Sequence, residues 1–213
     1  MNKLKKWGLV MGLSALCACS INHFKKENQC RNIKIDKNTS EIEQIIDKDA
    51  TATAEEVFTD ITGNFTFYTG HDEEIFGCKD KMSSMQETYY LGTGDCEDGA
   101  VLFKMKMSKN SRYLVEMIWL VAKKDVFKEN KNHSMDVVYD KYEKFWSYVS
   151  FNENYQCPEK FVTIEEAINH FNKKNNKIYA KYYIMDRFTD EELKFSQHLD
   201  KHRGRSLNWI DLE

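Results

Sequence analysis

Cys96 stands within Gly92-Thr-Gly-Asp-Cys-Glu-Asp-Gly-Ala100, after a glycine-rich turn and ahead of the apolar run from Ala100 to Met107. That placement puts a thiol at a helix N-terminus, where unpaired backbone N–H groups and the helix dipole favour the thiolate, the nucleophilic form. A cysteine nucleophile then needs a base to take its proton and a third group to orient the base. His133 is the natural base, since it opens an alternating stretch, His133 to Tyr139, whose ring-bearing end can meet the start of the Cys96 helix. The orienting group is expected on the next strand. There Asn152, or alternatively Ser150, shares the parity of Trp146 and lies near the strand end.

The acidic neighbours of the thiol cut the other way. Asp95, Glu97 and Asp98 surround it with negative charge, which opposes ionisation. Asp95 reads as an N-cap, with Asp98 three residues on in the first turn. Other groups are weaker candidates. His198 and His202, with Asp200 between them, have the i, i+4 spacing of a metal clip but suit a solvated helix face better, with no third ligand in view. His71-Asp72 reads as a surface loop within reach of the cleft, and Gln86 as a possible oxyanion donor.

These residues need a scaffold. Ala54 to Ile61 reads as a short helix, and the Cys96 helix runs on toward Lys109-Asn110. Arg112 to Val121 is β-branched and aromatic and reads as a buried strand, followed by His133 to Tyr139 and Phe145 to Phe151. Thr163 to Asn172 is a helix with Thr163 as N-cap and Glu166 three residues on, Ile178 to Met185 a fourth strand, and Thr189 to His202 a last helix. Helix, consecutive strands, then helices indicate an α+β domain in which the Cys96 helix packs on an antiparallel sheet.

The segment Gly94-Asp95-Cys96-Glu97-Asp98-Gly99-Ala100, with Thr88 before it, His133 after it and Trp146 to Ser150 beyond, resembles the transglutaminase-like superfamily, which shares a papain-like cysteine-enzyme architecture. It is especially similar to the bacterial transglutaminase-like cysteine proteinases. The resemblance spans residues 55–155. It implies a thioester on Cys96 and acid–base work by His133, with no cofactor required; in one branch of those proteinases the acidic residues flanking the cysteine bind calcium, and Asp95 and Glu97 match those positions. Three positions depart from the pattern. Gly99 replaces an aromatic, Ser-Met rather than Ala-Trp follows His133, and the family's aspartate falls on Ser150.

Composition bounds the rest. The chain has 213 residues, 41% of them hydrophobic, enough for one domain with a real core. A formal charge of −3 gives no reason to expect nucleic acid. Lys3, Lys5 and Lys6 precede an apolar stretch from Trp7 to Leu16, an export signal too short to be a comfortable transmembrane helix. Leu16-Cys17-Ala18-Cys19 resembles a bacterial lipobox, which makes residues 1–18 a signal peptide and Cys19 the lipidated mature N-terminus. Residues 19–53 are polar and read as a tether, with Ile42, Ile45 and Ile46 able to form one amphipathic turn, and 54–213 form the domain. The expected location is a bacterial membrane, the outer one where the cell has two. Of the cysteines left, Cys30, Cys78, Cys96 and Cys157, one pair is expected to be oxidised in that compartment, and Cys78 with Cys157 is the first guess. Two functions fit: a membrane-anchored cysteine hydrolase or acyltransferase acting on a protein or peptide in the envelope, or a non-catalytic envelope lipoprotein that binds a peptide or polysaccharide.

Overall fold

The computed structural model describes residues 30–31, 39–78, 81–122, 132–177, 179–185 and 210–212. In chain order the elements are α1 (Thr39–Asp49), α2 (Ala54–Asn64), β1 (Thr66–Phe67), α3 (His71–Ile75), α4 (Met85–Leu91), β2 (Thr93–Gly94) and α5 (Cys96–Lys106). They continue with β3 (Tyr113–Ala122), β4 (His133–Asp140), β5 (Phe145–Ser150), β6 (Tyr155–Gln156), α6 (Ile164–Asn175), β7 (Tyr179–Met185) and β8 (Ile210–Asp211). The signal segment, Cys19 and the expected helix carrying His198, Asp200 and His202 lie outside the described residues. No helix among the described residues is long and apolar enough to cross a membrane.

The architecture is α+β. Six strands form one antiparallel sheet in the order β6-β5-β4-β3-β7-β8, while β1 and β2 pair separately in parallel. Both faces of the sheet are covered. On one side Val101, Leu102 and Phe103 of α5 and Val57, Phe58 and Ile61 of α2 pack on Val115, Met117, Val138 and Val149. On the other, Ala167, Ile168 and Phe171 of α6 pack on Ile118, Leu120, Met135, Val137 and Tyr148. Strand β4 is therefore buried along both faces, so its alternation sorts side chains between two cores and not between core and solvent.

Local chemistry sets the helix starts. Thr53 and Glu56 form a capping box: the Thr53 N–H donates to Glu56 Oε2 at 2.7 Å and the Glu56 N–H to Thr53 Oγ1 at 3.2 Å. At α6 the Thr163 hydroxyl accepts from the Glu166 N–H at 3.2 Å, while the Glu166 carboxylate takes the N–H of Val162 at 2.8 Å.

Two expectations are corrected. The segment read as a tether contains α1, whose Ile42 and Ile46 enter the core beside α5. Lys106 Nζ, 4% exposed at its side chain, sits 2.9 Å from Asp49 Oδ2 and 2.9 Å from Asp60 Oδ2, and Asn110 Nδ2 donates to the Ala52 carbonyl at 2.7 Å. A helix this short is marginal alone and forms because this docking holds it. The disulfide joins Cys30 to Cys78, which leaves Cys96 and Cys157 as free, buried thiols. The Arg31 N–H adds a 2.7 Å bond to the Phe76 carbonyl, so the strap from residue 30 is pinned to the end of α3.

Candidate active site

Cys96 is the first residue of α5, with Asp95 in extended conformation at the N-cap position. Asp95 makes no side-chain capping bond, so the expected cap is positional only. The sulfur donates to Glu97 Oε2 at 3.1 Å, and the backbone N–H of Ser134, the residue after His133, lies against it. Burial raises the thiol well above its ordinary value, Glu97 and Asp95 push it further, and the Ser134 N–H only partly offsets them. A helix N-terminus contributes about 0.3–1 kcal/mol toward an anion, against several kcal/mol for burying a charge. Desolvation wins, and the resting sulfur is a thiol.

His133 opens β4 and is 3% exposed. Its Nε2 lies 2.9 Å from Ser150 Oγ, at the end of β5. The Ser150 hydroxyl donates in turn to Glu153 Oε2, and Glu153 Oε1 is paired with Lys177 Nζ at 2.5 Å. An ionised carboxylate accepts only, so the single Ser150 proton points to Glu153 and its oxygen accepts from His133 Nε2–H. That order fixes the imidazole tautomer and leaves Nδ1 as the basic nitrogen. The ring lies flat on Phe171 of α6, centroids 5.2 Å apart and planes 4° off parallel. Burial holds the imidazole well below its ordinary range against the pull of Glu153, so it is a neutral base at pH 7. Burial resists ionisation of Glu153, but His133, Lys177 and the Ser150 hydroxyl together hold it below the ordinary glutamate value.

The structure thus brings Cys96 to the His133 end of the sheet and joins His133 to Ser150. Asn152 does not join them: its Oδ1 is buried with no hydrogen-bond partner among the described residues. The hydrogen bond of Cys96 runs to Glu97, not to His133. Glu153 and Lys177 were not read from the sequence. Strand parity stops at Ser150, and the turn of residues 151–154, with Asn154 at φ 44°, brings the third residue back under the strand end.

Gly99 is explained by Phe151. A Cβ on Gly99 would come within 2.5 Å of Phe151 Cγ, so the Phe151 ring occupies the space an aromatic at 99 would need. Gly94 is constrained in the same way by Asp98, whose Cβ would lie 2.5 Å from a side chain there. Asp98 is wholly buried, with Oδ1 accepting the Ser83 N–H at 2.6 Å and Oδ2 3.8 Å from His71 Nδ1. His71-Asp72, expected on a surface loop, is likewise buried, and His71 Nδ1 lies 3.3 Å from Asp72 Oδ1. Asp136 of β4 is buried with neither carboxyl oxygen hydrogen-bonded among the described residues, and burial pushes its pKa well up.

Three groups converge closely enough to share a cation: His71, Asp72 and Asp98; Asp95, Cys96 and Glu97; and Cys157, Glu159 and His170. The group around Cys96 sets two carboxylates against a sulfur, and Glu97 is engaged by the thiol. Calcium takes about six to eight oxygen ligands. Among the described residues the donors around Cys96 do not make such a site. Compared with protein-family models and with curated proteins, the sequence matches none.

Proposed function

We propose that this chain is an exported, membrane-anchored cysteine hydrolase or acyltransferase of transglutaminase-like type, acting on a peptide bond or a Gln side chain. Cys96 Sγ attacks the acyl carbon while its proton passes to His133 Nδ1. The C–N bond then breaks, the departing amine takes that proton, and a thioester remains on Cys96. Water, or a second amine, attacks the thioester and gives its proton to His133, which returns it to the departing Cys96 sulfur as the C–S bond breaks. The Cys96 N–H at the head of α5 supplies part of the oxyanion hole. Because the resting thiol and imidazole are both neutral, proton transfer accompanies attack, and substrate must draw the thiol off Glu97.

The observation that carries this reading is the chain Lys177–Glu153–Ser150–His133, which fixes one imidazole tautomer on the residue next to Ser134, whose backbone N–H lies against the Cys96 sulfur. The test uses detergent-solubilised full-length chain, a Gln-rich acceptor protein with a fluorescent primary amine, and a set of quenched peptides. Amine incorporation or peptide cleavage, lost in Cys96→Ala and His133→Ala, supports it; no turnover with either substrate set overturns it.

One observation favours a second reading, a non-catalytic lipoprotein that binds a peptide or polysaccharide: the buried sulfur is held by Glu97. On that reading Cys96→Ala leaves partner binding unchanged and no acyl adduct ever forms on the cysteine.

A further inference from the structure

The second free thiol lies at a different place in the fold. Cys157 follows β6 directly and is 3% exposed; Glu159 comes two residues later, and His170 reaches in from α6. Cys157 Sγ lies 2.9 Å from Glu159 Oε2 and 3.7 Å from His170 Nδ1, and His170 Nε2 is 3.7 Å from Glu159 Oε1. We infer that Cys157, Glu159 and His170 form a site for a borderline-soft divalent transition metal of the zinc type, separate from the Cys96 cleft.

The donor types and the sulfur-to-nitrogen distance agree on that class of ion. In a tetrahedral zinc site with Zn–S of about 2.3 Å and Zn–N of about 2.0–2.1 Å, the sulfur-to-nitrogen edge is about 3.6 Å. The observed 3.7 Å already matches. The sulfur-to-oxygen edge is shorter than about 3.5 Å, the same geometry's requirement, so the Glu159 carboxylate must swing outward. Its side chain is 52% exposed and has room to do so. A thiolate, an imidazole and one carboxylate suit zinc or cobalt(II) and suit neither calcium nor magnesium, which take oxygen. The exposed side of Glu159 and His170 leaves the fourth position to water, the arrangement of an open zinc site.

Two neighbours oppose the cation. Tyr148 OH sits 3.0 Å from the same His170 Nδ1 and loses that acceptor when the metal binds. Lys174 Nζ, over the Tyr155 ring at 3.1 Å, attracts Glu159 and competes for it.

The site would clamp α6 to the end of β6. His170 is followed by Phe171, on which His133 stacks, so the clamp bears on the imidazole's support.

The test is a Co²⁺ titration of the full-length chain, unreduced, with Cys17→Ala and Cys19→Ala so that Cys96 and Cys157 are the only thiols outside the disulfide. The expected result is a thiolate-to-cobalt charge-transfer band with intense visible bands of a tetrahedral ion, saturating at one equivalent and bleached by Zn²⁺. The bands persist in Cys96→Ala and disappear in Cys157→Ser. Glu159→Gln, at an exposed position that leaves the fold intact, weakens Co²⁺ by more than about tenfold, the scale on which even outer-shell partners act. Tyr148→Phe leaves affinity unchanged or higher, because the competing hydroxyl is gone. No charge-transfer band, a band that survives Cys157→Ser, or one that vanishes in Cys96→Ala overturns the proposal.

Discussion

Gly99→Ala is expected to destabilise the fold, although alanine is the better helix former. In an exposed helix interior the change would gain about 1 kcal/mol. Here the added methyl meets Phe151 Cγ, Cβ and Cδ2 at 2.5, 2.7 and 2.8 Å. The ring cannot retreat, because Phe67, Phe58 and Phe103 surround it with centroids at 5.1, 5.3 and 6.0 Å. Overpacking costs about 1–3 kcal/mol, and three such contacts place this case near the top of that range. The net effect is therefore a loss of about 2 kcal/mol once the helix gain is included. Phe151→Ala alone should cost about 3–5 kcal/mol. In that background the clash is gone and Gly99→Ala should turn stabilising by about 1 kcal/mol, so the two sites couple by about 3 kcal/mol. Urea unfolding followed by far-ultraviolet circular dichroism, with the disulfide intact, measures all four corners of the cycle. A Gly99→Ala that raises stability, or that changes it equally in both backgrounds, refutes the packing argument.

Three further outcomes follow from the same geometry. Cys30→Ser should cost about 4 kcal/mol for a loop closed across 48 residues, read as a drop in thermal midpoint under non-reducing conditions; a change under about 1 kcal/mol would mean the strap contributes little. Asp136→Asn should stabilise the protein, by about 1–3 kcal/mol at neutral pH. The sign follows from a folded pKa raised by burial: the wild-type loses stability as pH climbs past the ordinary 3.8, so the variant's advantage must grow with pH in denaturant titrations. An advantage that shrinks with pH contradicts the assignment. Alkylation of Cys96 by iodoacetamide, followed by peptide mass spectrometry, should accelerate only on the alkaline side of the ordinary thiol value of 9.0, since burial raises the thiol. Fast labelling at pH 6 would show a thiolate that the geometry excludes.

The elements were largely legible because their signals are local. Thr163 with the glutamate three residues on marked a helix start, and the runs from Arg112, His133 and Phe145 gave strands within a residue of their observed ends. Cys96 and His133 were legible for the same reason, one as a helix start and the other as a strand start. The third position was not. Parity along β5 carries Ser150 correctly but extends falsely to Asn152, because the chain turns there and delivers Glu153 instead. Helix α1 was legible only as the one amphipathic turn of Ile42, Ile45 and Ile46; its full length and its place in the core depend on Lys106 and Asn110, which fix its end. The ionisation state of Cys96 was hidden too. Its helix position argues for a thiolate and its acidic neighbours against one, and the three-dimensional burial is the largest cause that decides for the thiol. The partner of Cys78 rested on which segments meet, which a sequence without its fold does not state.

The most direct test of the central claim is acetylation of the intact chain by p-nitrophenyl acetate at neutral pH, with the adduct located by mass spectrometry. A small activated ester needs no knowledge of the substrate. The account expects an acetyl thioester on Cys96 that forms about 10²–10⁴-fold more slowly in His133→Ala, the usual contribution of a positioned base, with an intermediate loss in Glu153→Gln. Cys157→Ser should leave the rate unchanged. An adduct on Cys96 that forms equally fast without His133, or no adduct on Cys96 at all, would contradict it.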